Sequence, residues 1–344
     1  MTTVSQRAEH LVLVRDLIVL GVERQIHRRS ELQQAAIKEQ LLVRVSDGKP
    51  LNYTSIYRYF DALRFLKFDG SGKYGLEDDI AWTPSARELA KCGTVSYRTK
   101  TLSEPEKAIF RTSIFLSDAS QWFLAYFCNT DSVPRSQEQF VTLARPLHVI
   151  HESVERSPDI GKSNEWPARD NVEISFDPNA GEIIRRPTKE FLYTYRYWCL
   201  DTDIIDELNV REAERCGIPK FHSYVLFPLD PTVHITPDQF LDMIYSSLGR
   251  KLKHPQVVPI PWLMYRICPK AKISVEKFKS LLLQAWHKNR HLLHLERGPG
   301  GLIEGRIYSP QRGYSERYGN HRYYLVVDGT IRSNLAVFPI TKGG

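Results

Sequence analysis

Residues 52–93 read NYTSIYRYFDALRFLKFDGSGKYGLEDDIAWTPSARELAKCG. A helical period places Tyr53, Ile56, Phe60, Leu63 and Lys67 on one arc and Thr54, Arg58, Asp61 and Phe65 on the far side, so the first third predicts a helix docked by one face. The Asn52 side chain can accept a free amide of the first turn, and Asp69-Gly70-Ser71-Gly72 ends the pattern with turn chemistry. Leu66 to Phe68 and Ile80 to Trp82 then predict a small strand pair around a polar tip from Gly70 to Asp79. A helix capped by Thr83 with Pro84 at its first position follows.

Upstream, Val4 to Gly21 reads as an amphipathic helix packed on this unit as an extra element. A second helix, ELQQAAIKEQLLVRV, is capped by Ser30, and SDGKPLN turns the chain into the helix that begins near Tyr53. With LRFLKF before the hairpin and WTPSARELAKCG after it, the first hundred residues resemble the winged helix-turn-helix superfamily. That resemblance implies a recognition helix whose N-terminal residues meet a DNA groove. Here they are Thr54, Ser55 and Arg58, flanked by Tyr57 and Tyr59, with Lys73 and Tyr74 at the wing tip. Hydroxyls bond phosphates or base edges and Arg58 can reach guanine with two N–H groups. Asp61 and Glu77 to Asp79 on the same surfaces suit a protein-docking role instead.

The 344 residues are 42% hydrophobic and 11% aromatic, enough for two or three domains. A formal charge of +7 and a pI near 9.0 lean toward a polyanionic partner, although 47 basic residues face 40 acidic ones. Five separated cysteines argue against a disulfide framework or zinc ribbon and point to a reducing cytoplasm. The charged N-terminal stretch is neither a signal peptide nor a membrane span.

Thr101 to about Ile150 reads as helical and strongly apolar. His148 and His151 stand three apart with only Glu152 in support, a poor metal site. A polar linker covers Ser157 to Arg169, a hairpin is expected in VEISFDPNAGEIIRR, and Lys189 to Asn209 reads as one or two helices. Asp201, Asp203, Asp206 and Glu207 form an acidic run that a metal-dependent nuclease would have to converge in space. No phosphate-binding loop, HExxH, GxSxG or CxxC motif occurs, so no enzyme and no cofactor is expected.

From Thr236 the pattern is a capped helix, VVPIPWLMYRIC, a helix capped by Ser274 with Val275, Phe278, Leu281, Leu282 and Ala285 on one face, and a strand HLLHLERG. A long wing returning through HRYYLVV would complete a second winged helix. That wing interleaves Arg306, Arg312, Arg317 and Arg322 with tyrosines, a composition suited to phosphates and unstacked bases and common also at protein interfaces.

The expected fold is therefore mainly α with small β wings (α+β), tandem winged-helix domains at 1–100 and 231–344 flanking a helical middle at 101–230 whose loop or hairpin covers 157–187. The expected function is non-catalytic binding of DNA, duplex or partly single-stranded, as a subunit of a prokaryotic DNA-handling complex for defence, mobile-element or chromosome maintenance. A kleisin-like scaffold, with winged helices at both termini, is the competing class, and a nuclease the third.

Overall fold

A computed structural model describes residues 10–44, 47–71, 78–99, 101–128, 133–151, 172–175, 189–209, 224–249, 252–297 and 324–340. The protein mixes helices with small sheets, an α+β arrangement. The described residues fall into two compact units: one runs to Arg145 and resumes over 189–205, the other holds Pro146–His151 and the chain from Asp206 onward. The segment expected as a helical middle is divided between them.

The first unit contains α1 (Leu11–Glu23), α2 (Arg29–Lys38), α3 (Tyr53–Phe65), α4 (Pro84–Ser96), α5 (Glu104–Leu116), α6 (Asp118–Ala125), α7 (Gln137–Leu143) and α8 (Lys189–Asp201). Helix α1 buries every residue from Val14 to Gly21 and touches α2, α3 and α4, so it is a central helix rather than an added one. Full enclosure needs its polar groups satisfied. Arg15, wholly buried, donates through Nε to Asp16 Oδ1 at 2.8 Å, through Nη2 to the Thr99 carbonyl at 2.8 Å and through Nη1 to Glu106 Oε1 at 3.4 Å. Glu106 also accepts from the Ser103 amide at the start of α5 and from the Ser96 hydroxyl at the end of α4. One carboxylate thus ties three helices.

Helix α2 begins at Arg29 rather than after Ser30, because the chain before it is held by the hairpin: Arg28 bridges Asp79, and the Arg29 amide donates to the Asp78 carbonyl at 3.2 Å. The expected strand pair shortens to a bridge between Asp69 and Trp82, with Gly70 N to Ala81 O at 2.9 Å and Thr83 N to Phe68 O at 3.1 Å. Lys67 leaves the predicted helical arc, taking a left-handed conformation at φ 60° just beyond α3. The Asn52 and Thr83 caps form as expected, accepting from Ser55 N and Ala86 N.

The second unit opens with two strands where helix was expected: β1 (Leu147–His151) and β3 (Ile205–Asn209) join β2 (Val172–Ser175) and β4 (Tyr224–Pro228) in the order β2-β1-β4-β3. Strands β1 and β4 pair antiparallel, Leu147 opposite Leu226. Then come α9 (Pro237–Ser247), β5 (Gln256–Pro259), α10 (Ile260–Ala271), α11 (Val275–Lys288), β6 (Leu293–Glu296), β7 (Leu325–Val327), β8 (Thr330–Arg332) and β9 (Asn334–Val337). Strand β9 lies between β5 and β6, antiparallel to both, with Ala336 opposite Val257 and His294. Strands β7 and β8 form a hairpin whose turn, Asp328-Gly329, has φ 49° and 68°, the positive values a two-residue type I′ turn requires.

The core of this unit gathers the apolar faces predicted for α9 and α11: Phe240 and Phe278 pack edge to face at 5.2 Å among Ile244, Leu263, Leu282 and Leu335. Ser274 caps α11 by accepting from Lys277 N at 3.1 Å, and Asp206 Oδ2 accepts from the Val275 amide at 2.9 Å. No helix among the described residues is long and apolar enough to cross a membrane.

Candidate nucleic-acid interface

Helix α3 is positioned at its N-terminal end. The Asn52 carboxamide accepts from Ser55 N at 2.8 Å, and the Leu51 amide donates to the Leu42 carbonyl at 2.9 Å, closing the turn between α2 and α3. Ile56, Tyr59, Phe60, Ala62 and Leu63 bury one face, leaving Thr54 and Arg58 exposed and Ser55 half-buried on the other. Tyr53 is 64% exposed and stacks against Tyr57 with ring centroids 6.1 Å apart. Tyr59, expected to flank the interface, is fully buried and belongs to the core. Of the predicted contact residues, α3 brings Thr54, Ser55 and Arg58 together within little more than one helical turn.

The acidic residues near this helix are held in place. Asp69 lies beneath the hairpin: its Oδ2 accepts from Arg29 Nη2 at 2.6 Å, and its Oδ1 accepts from the Ser71 and Ala81 amides at 2.9 and 3.1 Å. Burial pushes the Asp69 carboxyl up, but the bonds from Ser71, Arg29 and Ala81 outweigh it and hold the group below the ordinary aspartate range. Asp61, half-buried and 4.0 Å from Arg64 Nη2, moves the other way: burial raises it against the pull of Arg64 and Arg29. Glu39 is engaged by Arg24 and by Arg98, the latter at 2.6 Å.

Lys73 and Tyr74, and the wing residues Arg306, Arg312, Arg317 and Arg322, lie outside the described residues. Of the tyrosines in that tail, Tyr324 is buried and serves the core of the second unit. Arg297, at the start of the same tail, is exposed with Nη2 3.4 Å from the Thr330 hydroxyl.

The other chemistry-bearing patterns resolve into structural roles. Asp203 Oδ2 accepts from Lys107 Nζ at 2.7 Å, whereas Asp206 is a buried anchor for α11 and also accepts from Glu207 N. His148 is buried on β1 with its ring edge against Tyr265, and a three-residue spacing that would align on a helix does not do so on a strand. Among the described residues, no group of three or more His, Cys, Asp or Glu is placed to hold a metal. Burial pushes the Cys128 thiol up to about 11, and Cys199 higher, so neither is a thiolate at neutral pH.

Thr54, Ser55 and Arg58 thus place hydroxyl and guanidinium donors on one end of α3. The predicted residues include none on α11. Comparison of the chain with protein-family models, with curated proteins and with solved structures finds no match to any.

Proposed function

We propose that the chain is a non-catalytic DNA-binding protein built on two winged helices, acting in the cytoplasm as a subunit of a prokaryotic DNA-handling assembly. The observation that carries this reading is an element order that occurs twice. In the first unit α1, the Arg28 bridge, α2, α3 and the bridged hairpin follow one another; in the second, α9, β5, α10, α11 and β6 do, and β9, which comes after the β7–β8 hairpin, lies between β5 and β6 in the sheet. Such a frame leaves the outer face of its third helix uncovered, and in the first unit that face carries Thr54, Ser55 and Arg58. Donors of this kind on one helix suit phosphate oxygens and base edges of a duplex.

The test is fluorescence anisotropy of the full chain and of Arg58→Ala on labelled duplexes of varied sequence. The substitution is expected to cost about 1 to 3 kcal/mol of binding and to relax sequence preference. Duplex affinity and preference identical to the parent would remove Arg58 from the interface.

A further inference from the structure

The net positive charge of this protein has an address. Residues 252–297 hold nine Lys and Arg against Glu276 and Glu296, a surplus of +7 that equals the formal charge of all 344 residues. None of the nine is buried. This segment is β5, α10, α11 and β6, and its most regular surface is the outer side of α11. Opposite the buried Phe278, Leu282 and Ala285, successive turns present Glu276, Ser280, Gln284 and His287, with the half-buried Lys279 on the flank and Arg290 just past the helix end.

The local partners leave this face cationic. Lys279 Nζ, half-buried, lies 3.0 Å from the exposed Glu276 carboxylate, a pair open to water and salt on the glutamate side. Lys288, on the flank, engages Asp238 of α9. The Arg290 guanidinium rests over the Trp286 ring at 4.9 Å, with Nη2 3.2 Å from His287 Nδ1, which fixes its direction without neutralising it. Arg266 lies similarly over Trp262 at 5.2 Å. The exposed acids of the unit's described residues are Asp238 and Asp242 on α9, Glu276 in the first turn of α11 and Asp328 in the β7–β8 turn.

We infer that the outer face of α11 is the principal duplex-DNA contact of the chain, with Lys279 and Arg290 on phosphates and Ser280 and Gln284 toward base edges. The inference rests on the proposed DNA-binding function and names the surface that dominates it. A helix of 14 residues is about 21 Å long and fits a major groove lengthwise. Phosphate charge is what a concentrated cationic surface recognises, and Gln284 has the paired donor and acceptor that adenine presents in that groove. A duplex suits this face better than a single strand, because Trp286 is half-buried and covered by Arg290 rather than open to a stacking base. The α3 face, by contrast, draws on a first unit where acids and bases are more evenly matched.

The experiment compares the full chain with Lys279→Ala/Arg290→Ala and with Arg58→Ala, by anisotropy on a labelled duplex between about 50 and 200 mM salt. Two lost phosphate contacts should make the slope of log affinity against log salt shallower by about 2 and weaken binding at least about tenfold, more than Arg58→Ala does. Lys279→Arg/Arg290→Lys, which keeps both charges, should restore the slope. Arg58 and Arg290 are exposed and Lys279 is half-buried, and unchanged thermal unfolding of each variant verifies that the fold persists. A parent that binds duplex together with a double-alanine variant of equal slope and affinity overturns the inference and leaves the proposed function standing. A parent that binds no duplex at low salt overturns both.

Discussion

Asp69 shows how much one residue can fix in this fold. It is a carboxylate beneath the hairpin, bonded to Arg29 and to two backbone amides on opposite sides of the turn, and nearly all of it is out of water. Removing one partner of such a pair leaves the other charge buried, typically a loss of about 3 to 5 kcal/mol. Asp69→Asn keeps the Oδ1 acceptor but turns an amide N–H₂ toward Arg29, so it should lower stability by about 3 kcal/mol at neutral pH. The folded-state carboxyl lies below its ordinary value of 3.8, so its contribution is complete above that pH and declines as pH falls through the depressed folded value. Chemical denaturation of parent and variant at pH 7 and below pH 4 checks this: the gap should narrow in acid. A gap that widens would contradict the assignment. Of this network only the turn was legible in the sequence, since Asp69-Gly70-Ser71 reads as punctuation. Its pairing with Arg29, forty residues earlier, had no local signal.

At the scale of elements, the α1–α4 contact sets how the hairpin meets the helices. Gly93 of α4 lies so close to α1 that an added Cβ would stand 2.8 Å from Val19 Cγ2 and 3.1 Å from Arg15 Cδ, and a Cβ at Gly21 would stand 2.2 Å from the Trp82 ring. Trp82 cannot withdraw cheaply, because its Nε1 donates to the Ile26 carbonyl at 2.8 Å. Gly93→Ala is therefore expected to destabilise by about 1 to 3 kcal/mol through overpacking, despite the helix propensity of alanine. Thermal unfolding reads the effect, and a rise in midpoint would show that the helices separate freely. Helix starts were the most legible elements: Asn52, Thr83-Pro84, Thr236-Pro237 and Ser274 all cap where their side-chain chemistry predicts. Strands β1 and β3 were misread because LHVIH and IDELN are short runs whose type is settled by their neighbours in the sheet, not by their own period. The β7–β8 turn did have a signal, Asp328-Gly329 between apolar runs, which the long Arg- and Tyr-rich tail before it obscured.

At the scale of the whole molecule, the proposed polyanionic partner draws on charge and on helix geometry alike. The place of Thr54, Ser55 and Arg58 at the start of α3 was legible because a helix start follows from a cap and a period, whereas a contact role for them came only from the family resemblance. The α11 face was not, because its charge surplus is diluted to a modest +7 when the full chain is counted. Two donor-bearing faces on one chain also make salt the decisive variable, since each phosphate contact contributes to the salt slope regardless of sequence. The measurement that tests this account most directly is anisotropy of the full chain with labelled random duplex and with single strand, each at two salt concentrations. Binding in the micromolar range or tighter, weakened steeply by salt and stronger for duplex, is the predicted result. No binding to either form at low salt would contradict it and return the two exposed helix faces to protein docking.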